Sequence, residues 1–176
     1  MRLAFRTWCD DDLPLAQALF GEPRVSALVG GPFDAAQVAA RLATEIATQR
    51  DHGYQYWPIF LRRGGVPSAA GSSESPLDAT THVGCCGLKP RDPAQRIYEL
   101  GFYLRIEHWG QGYAVEAGHS AIAFAFDVLG AASLFAGHHP DNAGSQRTLE
   151  KLGFRFTHHE LYPPTGLMHP GYELRR

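Results

Sequence analysis

The segment Trp109-Gly110-Gln111-Gly112-Tyr113-Ala114 joins two stretches of different hydrophobic period, and so places a strand-to-helix turn inside the chain. Before it, Ile97 to Leu104 alternates, with Leu100, Phe102 and Leu104 on one face and Glu99, Gly101 and Tyr103 on the other. After it, Ala114, Ala117, Ala121, Ile122, Ala125, Val128 and Leu129 form a helical stripe that Gly130 closes as a left-handed cap. Small residues in such a turn let backbone N–H groups approach an anion, and the helix aims its positive dipole end at the same point. A phosphate or pyrophosphate would fit, although a Gly-x-Gly pair also serves as a plain structural turn. Two nucleotide readings are weakened. The nicotinamide fingerprint needs a third glycine where Val115 stands and an acid about 20 residues on, and the hydrolase phosphate loop needs Gly-Lys-Ser/Thr.

The flanking sequence supplies further elements. A first strand is expected around Leu3 and Phe5, and Asp10-Asp11-Asp12 offers an N-cap for a helix through Leu13, Leu15, Ala16, Leu19 and Phe20, stopped by Gly21 and Pro23. A second helix starts near Asp34, with Val38, Leu42, Glu45 and Ile46 at helical spacing, and runs toward Gly53. Tyr54 to Leu61 and His82 to Leu88 read as strands around a Gly/Ser/Ala/Pro-rich loop over 63–81. Ser133 to Ala136 is a short strand, Asp141 or Asn142 caps a short helix with Leu149 and Leu152 inward, and Phe154 to His159 begins the next strand. A turn and a last strand around Tyr172 and Leu174 follow.

A chain of 176 residues fits one domain with one sizeable core. A net charge of −2 argues for neither a nucleic-acid nor a membrane partner. The first twenty residues carry charges and no apolar leader core, and no apolar run is long enough to span a bilayer, so a cytoplasmic location is expected. Cys9, Cys85 and Cys86 are odd in number and suggest no disulfide framework. Cys85 and Cys86 read as buried packing with no cation nearby in sequence. His138-His139 and His158-His159 are adjacent pairs on expected strands, where neighbours point to opposite faces, so no metal site is expected.

The chain resembles the GCN5-related N-acetyltransferases, and within them the ribosomal-protein N-terminal acetyltransferases. Three blocks carry the resemblance in order and spacing: Glu99 to Leu104, Trp109 to Ala117, and Asn142-x-x-Ser145 leading to Leu149-Glu-Lys-Leu-Gly-Phe154. It extends from Arg6-Thr7-Trp8 through Gly84-Cys85-Cys86-Gly87-Leu88 to the C-terminal part, and implies a single domain over 1–176. The implied fold is α/β, a mixed and mostly antiparallel sheet flanked by helices, with a splayed parallel pair formed by Ile97 to Leu104 and Ser133 to Ala136. The implied co-substrate is acetyl-CoA, with no metal. Its pyrophosphate would lie on Trp109, Gly110, Gln111, Gly112, Tyr113 and Ala114, with Trp109 where many relatives have Gln or Arg. Its pantetheine would lie between the splayed strands and bond Asn142, which would otherwise be a plain N-cap.

An amine must shed a proton before it attacks a thioester. Glu99 is the expected general base, against the alternative of a carboxylate that only orders its strand. A backbone N–H freed by a bulge near Tyr103 or Leu104 would stabilise the developing oxyanion. Many relatives place an acid Tyr where this chain has Leu149, so Ser145 or solvent must protonate the leaving thiolate. Glu107 and Glu116 read as solvated or capping charges. The expected activity is direct transfer of an acetyl group to a primary amine, either a protein N-terminus or a small molecule, with a homodimer left open. A non-catalytic acyl-CoA binding module of the same fold is the alternative.

Overall fold

The protein is described by a computed structural model over residues 1–62 and 81–176, so the expected loop lies, except for Thr81, outside the described residues. The elements run β1 (Leu3–Phe5), α1 (Leu13–Phe20), α2 (Pro23–Ser26), α3 (Ala35–His52), β2 (Tyr56–Leu61), β3 (Thr81–Asp92), β4 (Ile97–Leu104), α4 (Tyr113–Asp127), β5 (Ser133–Gly137), α5 (Ala143–Lys151), β6 (Arg155–Tyr162) and β7 (Leu167–Leu174). The described strands form one mixed sheet in the order β1-β2-β3-β4-β5-β7-β6. Only β4 and β5 run parallel; every other neighbouring pair is antiparallel.

Both faces of the sheet are covered because its central strands are apolar on both sides. On one face Ala117, Ala121 and Ala125 of α4 pack with Leu149 of α5 against Ile59, Val83, Cys86, Leu88, Leu100 and Leu134. On the other, Ala16, Leu19 and Phe20 of α1 and Val38 and Leu42 of α3 pack against Tyr56 and Cys85. The neighbours Cys85 and Cys86 therefore lie in separate cores. Arg41 and Lys89 do stand close enough to act on Cys85, but burial dominates and holds both thiols protonated, pushing Cys86 up to about 12.

Local chemistry sets several boundaries. Asp34 Oδ1 accepts the Gln37 N–H at 2.8 Å while Gln37 Oε1 accepts the Asp34 N–H at 2.9 Å, a reciprocal cap that starts α3. Gly53, at φ 77°, ends it. The aspartate run behaves differently from expectation. Asp10 to Asp12 form a short 3₁₀ turn, and Asp12 gives α1 no side-chain cap. Its carboxylate instead takes the Arg6 guanidinium at 2.5 and 2.6 Å and, from the third position of the 3₁₀ turn, the Cys9 N–H at 3.0 Å, so a charge-assisted pair and the turn before α1 occupy it. His138 and His139 also depart from expectation: β5 ends at Gly137, so they lie in the connection to α5. His158 and His159 are on β6.

Candidate active site

The site begins where the parallel pair comes apart. β4 and β5 pair only at Ile97↔Ser133, Tyr98↔Leu134 and Glu99↔Phe135. Arg96 O accepts from Ala132 N at 3.0 Å, whereas Arg105 N donates to Val83 O at 2.9 Å. Even-numbered backbone groups of β4 thus face β5 and odd-numbered ones face β3. Beyond Glu99 the even groups, those of Leu100, Phe102 and Leu104, point into a gap that β5 has left. The register between β3 and β4 is unbroken from Gly84↔Leu104 to Pro90↔Tyr98, so there is no bulge at Tyr103 or Leu104. The irregularities lie elsewhere: Val83 of β3 is the extra residue opposite Ile59 and Phe60 of β2, and the β3–β4 register shifts between Pro90 and Asp92. Divergence of β5, and not a bulge, leaves the β4 edge open, and it exposes Phe102 and Leu104 while turning the Tyr103 backbone toward β3.

The gap is part of a cleft of about 530 Å³ that reaches Glu99 at one end and Trp109, Gly110 and Ala114 at the other, with Asn142 and Ser145 along its wall. At the Trp109 end the turn is open. Gly110 and Gly112 have φ of 74° and 80°, and a side chain carbon at Gly110 would have no neighbour within 4 Å. Among the described residues the N–H groups of Gly110, Gln111 and Gly112 meet no backbone carbonyl. The first N–H groups of α4 point out beside them. Trp109 is half exposed and gives its indole N–H to Leu104 O at 2.8 Å. Gln111 donates its side-chain amide to Glu107 O at 2.9 Å.

Arg2, which sequence reasoning did not single out, pins this turn. Its guanidinium bonds Gln111 O at 3.1 Å and Glu116 at 2.8 Å, and stacks 4.4 Å over the Tyr113 ring. Glu116 also accepts the Leu3 N–H at 3.2 Å, so it joins β1 to α4 and is not a solvated charge. Arg2 holds its carboxyl below the usual range although partial burial opposes this. Glu107 is more than half exposed, as expected.

In the middle of the cleft Asn142 does cap α5: its Oδ1 accepts the Ser145 N–H at 3.0 Å. The cap occupies the oxygen and leaves the amide N–H₂ for another partner. Ser145 is part-exposed on the cleft wall, and Leu149 is 1% exposed inside the core, so the wall has no phenol there.

At the far end Glu99 stands on the same face as Gly101 and Tyr103, with Lys89 directly across on β3 and the Arg91 guanidinium 3.9 Å away. Its side chain is 37% exposed where it lines the cleft and is otherwise packed in by its neighbours. Desolvation therefore leads and raises its pKa, Glu160 adds to this, and Lys89 and Arg91 pull the other way. Tyr56 packs its hydroxyl over Gly101, and burial followed by the charge of Glu99 drives that phenol well above its usual range. Arg24, Val25 and Leu28 close the cleft from α2 and the turn after it. These wall residues, with Tyr56, Arg91 and Glu160, carried no sequence signal because distant segments bring them together. Among the described residues no cluster of three His, Cys, Asp or Glu side chains could hold a metal, and no helix is long and apolar enough to cross a membrane.

Comparison with known proteins agrees with this architecture. YkkB of Bacillus subtilis, an uncharacterized protein, is 25% identical over 148 residues, 84% of this chain and 77% of that one. Three other curated relatives, two from Bacillus subtilis and one from Bacillus licheniformis, align over less than half of their own length. An acetyltransferase from Agrobacterium tumefaciens superposes with a TM-score of 0.77 at 24% identity, covering 99% of this chain and 91% of that one. A spermidine N-acetyltransferase from Vibrio cholerae, solved with CoA and spermine, superposes at 0.76 with 14% identity, covering 99% of this chain and 95% of that one. The family model of the acetyltransferase (GNAT) domain matches residues 2–155, and the chain belongs to that family.

Proposed function

We propose that this protein transfers an acetyl group from acetyl-CoA to a primary amine by direct attack. The observation that carries the reading is the open edge of β4 continuing into the glycine turn at Gly110 and Gly112, one channel with amide donors along it and an anion cradle at its end. The cradle fits a pyrophosphate: the N–H groups of Gly110 to Ala114 would meet it, with Trp109 and Tyr113 beside them. The β4 edge and the free amide of Asn142 would bond the pantetheine amides, which fixes the thioester near Phe102 and Leu104, where a backbone N–H would meet the developing oxyanion.

The amine would enter from the Glu99 end. Its nitrogen attacks the thioester carbonyl carbon, its proton goes to Glu99 directly or through a water, and the carbon–sulfur bond breaks. The departing thiolate is protonated by Ser145 or by solvent. A carboxylate whose pKa burial raises is a better base for this step than a fully solvated one. The acceptor is a primary amine, on a protein N-terminus or a small molecule, and the spermine in the Vibrio cholerae complex is that neighbour's own ligand. A second reading, a binding module without turnover, draws on the core leucine at 149 where many relatives have an acid. Free thiol appearing from acetyl-CoA only when an amine or N-terminal peptide is added, with equal acetylated amine by mass spectrometry, supports transfer. Tight acetyl-CoA binding with no thiol release for any amine in a broad panel would leave the binding module.

A further inference from the structure

Glu99 has a neighbour that ought to neutralise it and does not. Arg91, two residues beyond Lys89 on β3, has its guanidinium spread over both oxygens of Glu160, with Nη1 3.0 Å from Oε1 and Nη2 2.5 Å from Oε2. The Phe135 ring lies 3.7 Å from the guanidinium carbon and covers one side of the plane. His158 Nε2 lies 3.2 Å from Glu160 Oε2 and braces the acceptor of this fork. Glu99 Oε2 is left 3.9 Å from Nη1, inside electrostatic reach and outside hydrogen-bond distance.

We infer that Arg91 is a positioning residue whose fork is held by Glu160, so that Glu99 feels the cation without being locked into an ion pair and keeps its lone pairs for the acceptor amine. This rests on the reading of Glu99 as the base. A bidentate arginine–carboxylate pair is strong and directional, and an Arg91 free to close on Glu99 would use the oxygens that must accept the proton. Glu160 thus acts on the chemistry through Arg91. The groups that face Glu99 are Lys89 and Arg91 from β3, Tyr56 from β2, Tyr103 on its own strand, and Glu160 and Tyr162 from β6. Arg91 and Glu160 are the two that hold each other.

The arrangement gives two substitutions opposite signs. Glu160→Ala frees the fork to close on Glu99, which favours its charged form, so the acidic limb of the single-turnover pH profile moves down by about one unit and the plateau rate falls. Arg91→Met removes the cation and leaves the burial of Glu99 less opposed, so the same limb moves up by about one unit. The limb in question is the one that Glu99→Gln abolishes, measured with a single amine of fixed pKa, and circular dichroism with a coenzyme A titration checks that each variant folds and binds. If Glu160→Ala and Arg91→Met shift that limb in the same direction, or leave it where it is, the positioning role is wrong while the base stands. If Glu99→Gln keeps the parent limb, the base reading itself is wrong. Should Arg91→Met not fold, Arg91→Lys tests the same point, because it retains the charge, loses the fork, and is expected to place the limb between parent and Glu160→Ala.

Discussion

Trp109 donates its indole N–H to the carbonyl oxygen of Leu104 at 2.8 Å, and this bond ties the anion turn to the open edge of β4. It gives the tryptophan a structural role: it fixes the corner between the end of β4 and the glycine turn. Trp109→Phe removes the N–H together with part of the ring, and the lost hydrogen bond alone is worth about 1 kcal/mol net, so coenzyme A affinity falls by about fivefold or more. Calorimetry on the folded variant measures it; an unchanged affinity separates the indole from donor binding.

The glycine turn makes a sharper prediction. Gly112 has φ 80°, and among the described residues a side-chain carbon added there would meet the Arg2 guanidinium at 3.6 Å. Gly112→Val both strains the left-handed backbone and fills the space an anion needs. Stability falls by about 1 to 2 kcal/mol, and coenzyme A affinity falls by more than that, about a hundredfold. Thermal unfolding and calorimetry on the same sample compare the two losses, and parent affinity in Gly112→Val would remove the phosphate cradle from the account.

Much of this site was legible in local sequence. The strand over Ile97 to Leu104, the start of the helix after Gly112 and the cap at Asn142 each depend on side chains within a few positions and fall where the pattern put them, whereas α4 ends at Asp127, short of the expected Gly130 cap. What was not legible depends on distant partners. Glu116 was read as a solvated or capping charge, but β1, more than a hundred residues earlier, lies on it; and the expected bulge near Tyr103 or Leu104 is replaced by divergence of β5, which no local signal there reports. Arg91 and Glu160 are 69 residues apart and meet only because β3 and β6 bring them to one face of the sheet.

His82 predicts a pH dependence of stability apart from activity. It is buried against Trp8 and Phe60, and among the described residues neither ring nitrogen has a side-chain partner. Desolvation first, then Arg105, pulls its pKa from 6.5 down to about 4. The unfolded chain therefore binds the proton more readily than the folded one between those values. Stability from this group is full above about pH 6.5 and is lost as pH falls toward about 4, on the order of a few kcal/mol in total. His82→Phe flattens that part of the stability curve in denaturant titrations, whereas an identical slope in parent and variant rules His82 out.

Ser145 is tested by its leaving-group role. Ser145→Ala keeps the backbone N–H that Asn142 accepts, so the helix cap survives and coenzyme A affinity is unchanged. Turnover falls about 10- to 100-fold if the hydroxyl protonates the thiolate. A parent rate in this variant assigns that proton to solvent.

The central claim is that the Glu99 end of the cleft takes the proton of an attacking amine. Single-turnover transfer rates for the parent and Glu99→Gln, from about pH 6 to 9, test it without interference from product release. The account predicts a loss of about 10²- to 10⁴-fold at neutral pH that shrinks as pH rises, with coenzyme A affinity unchanged. Rates that match the parent throughout that range would contradict it, and would mean that the amine loses its proton in bulk water before it enters.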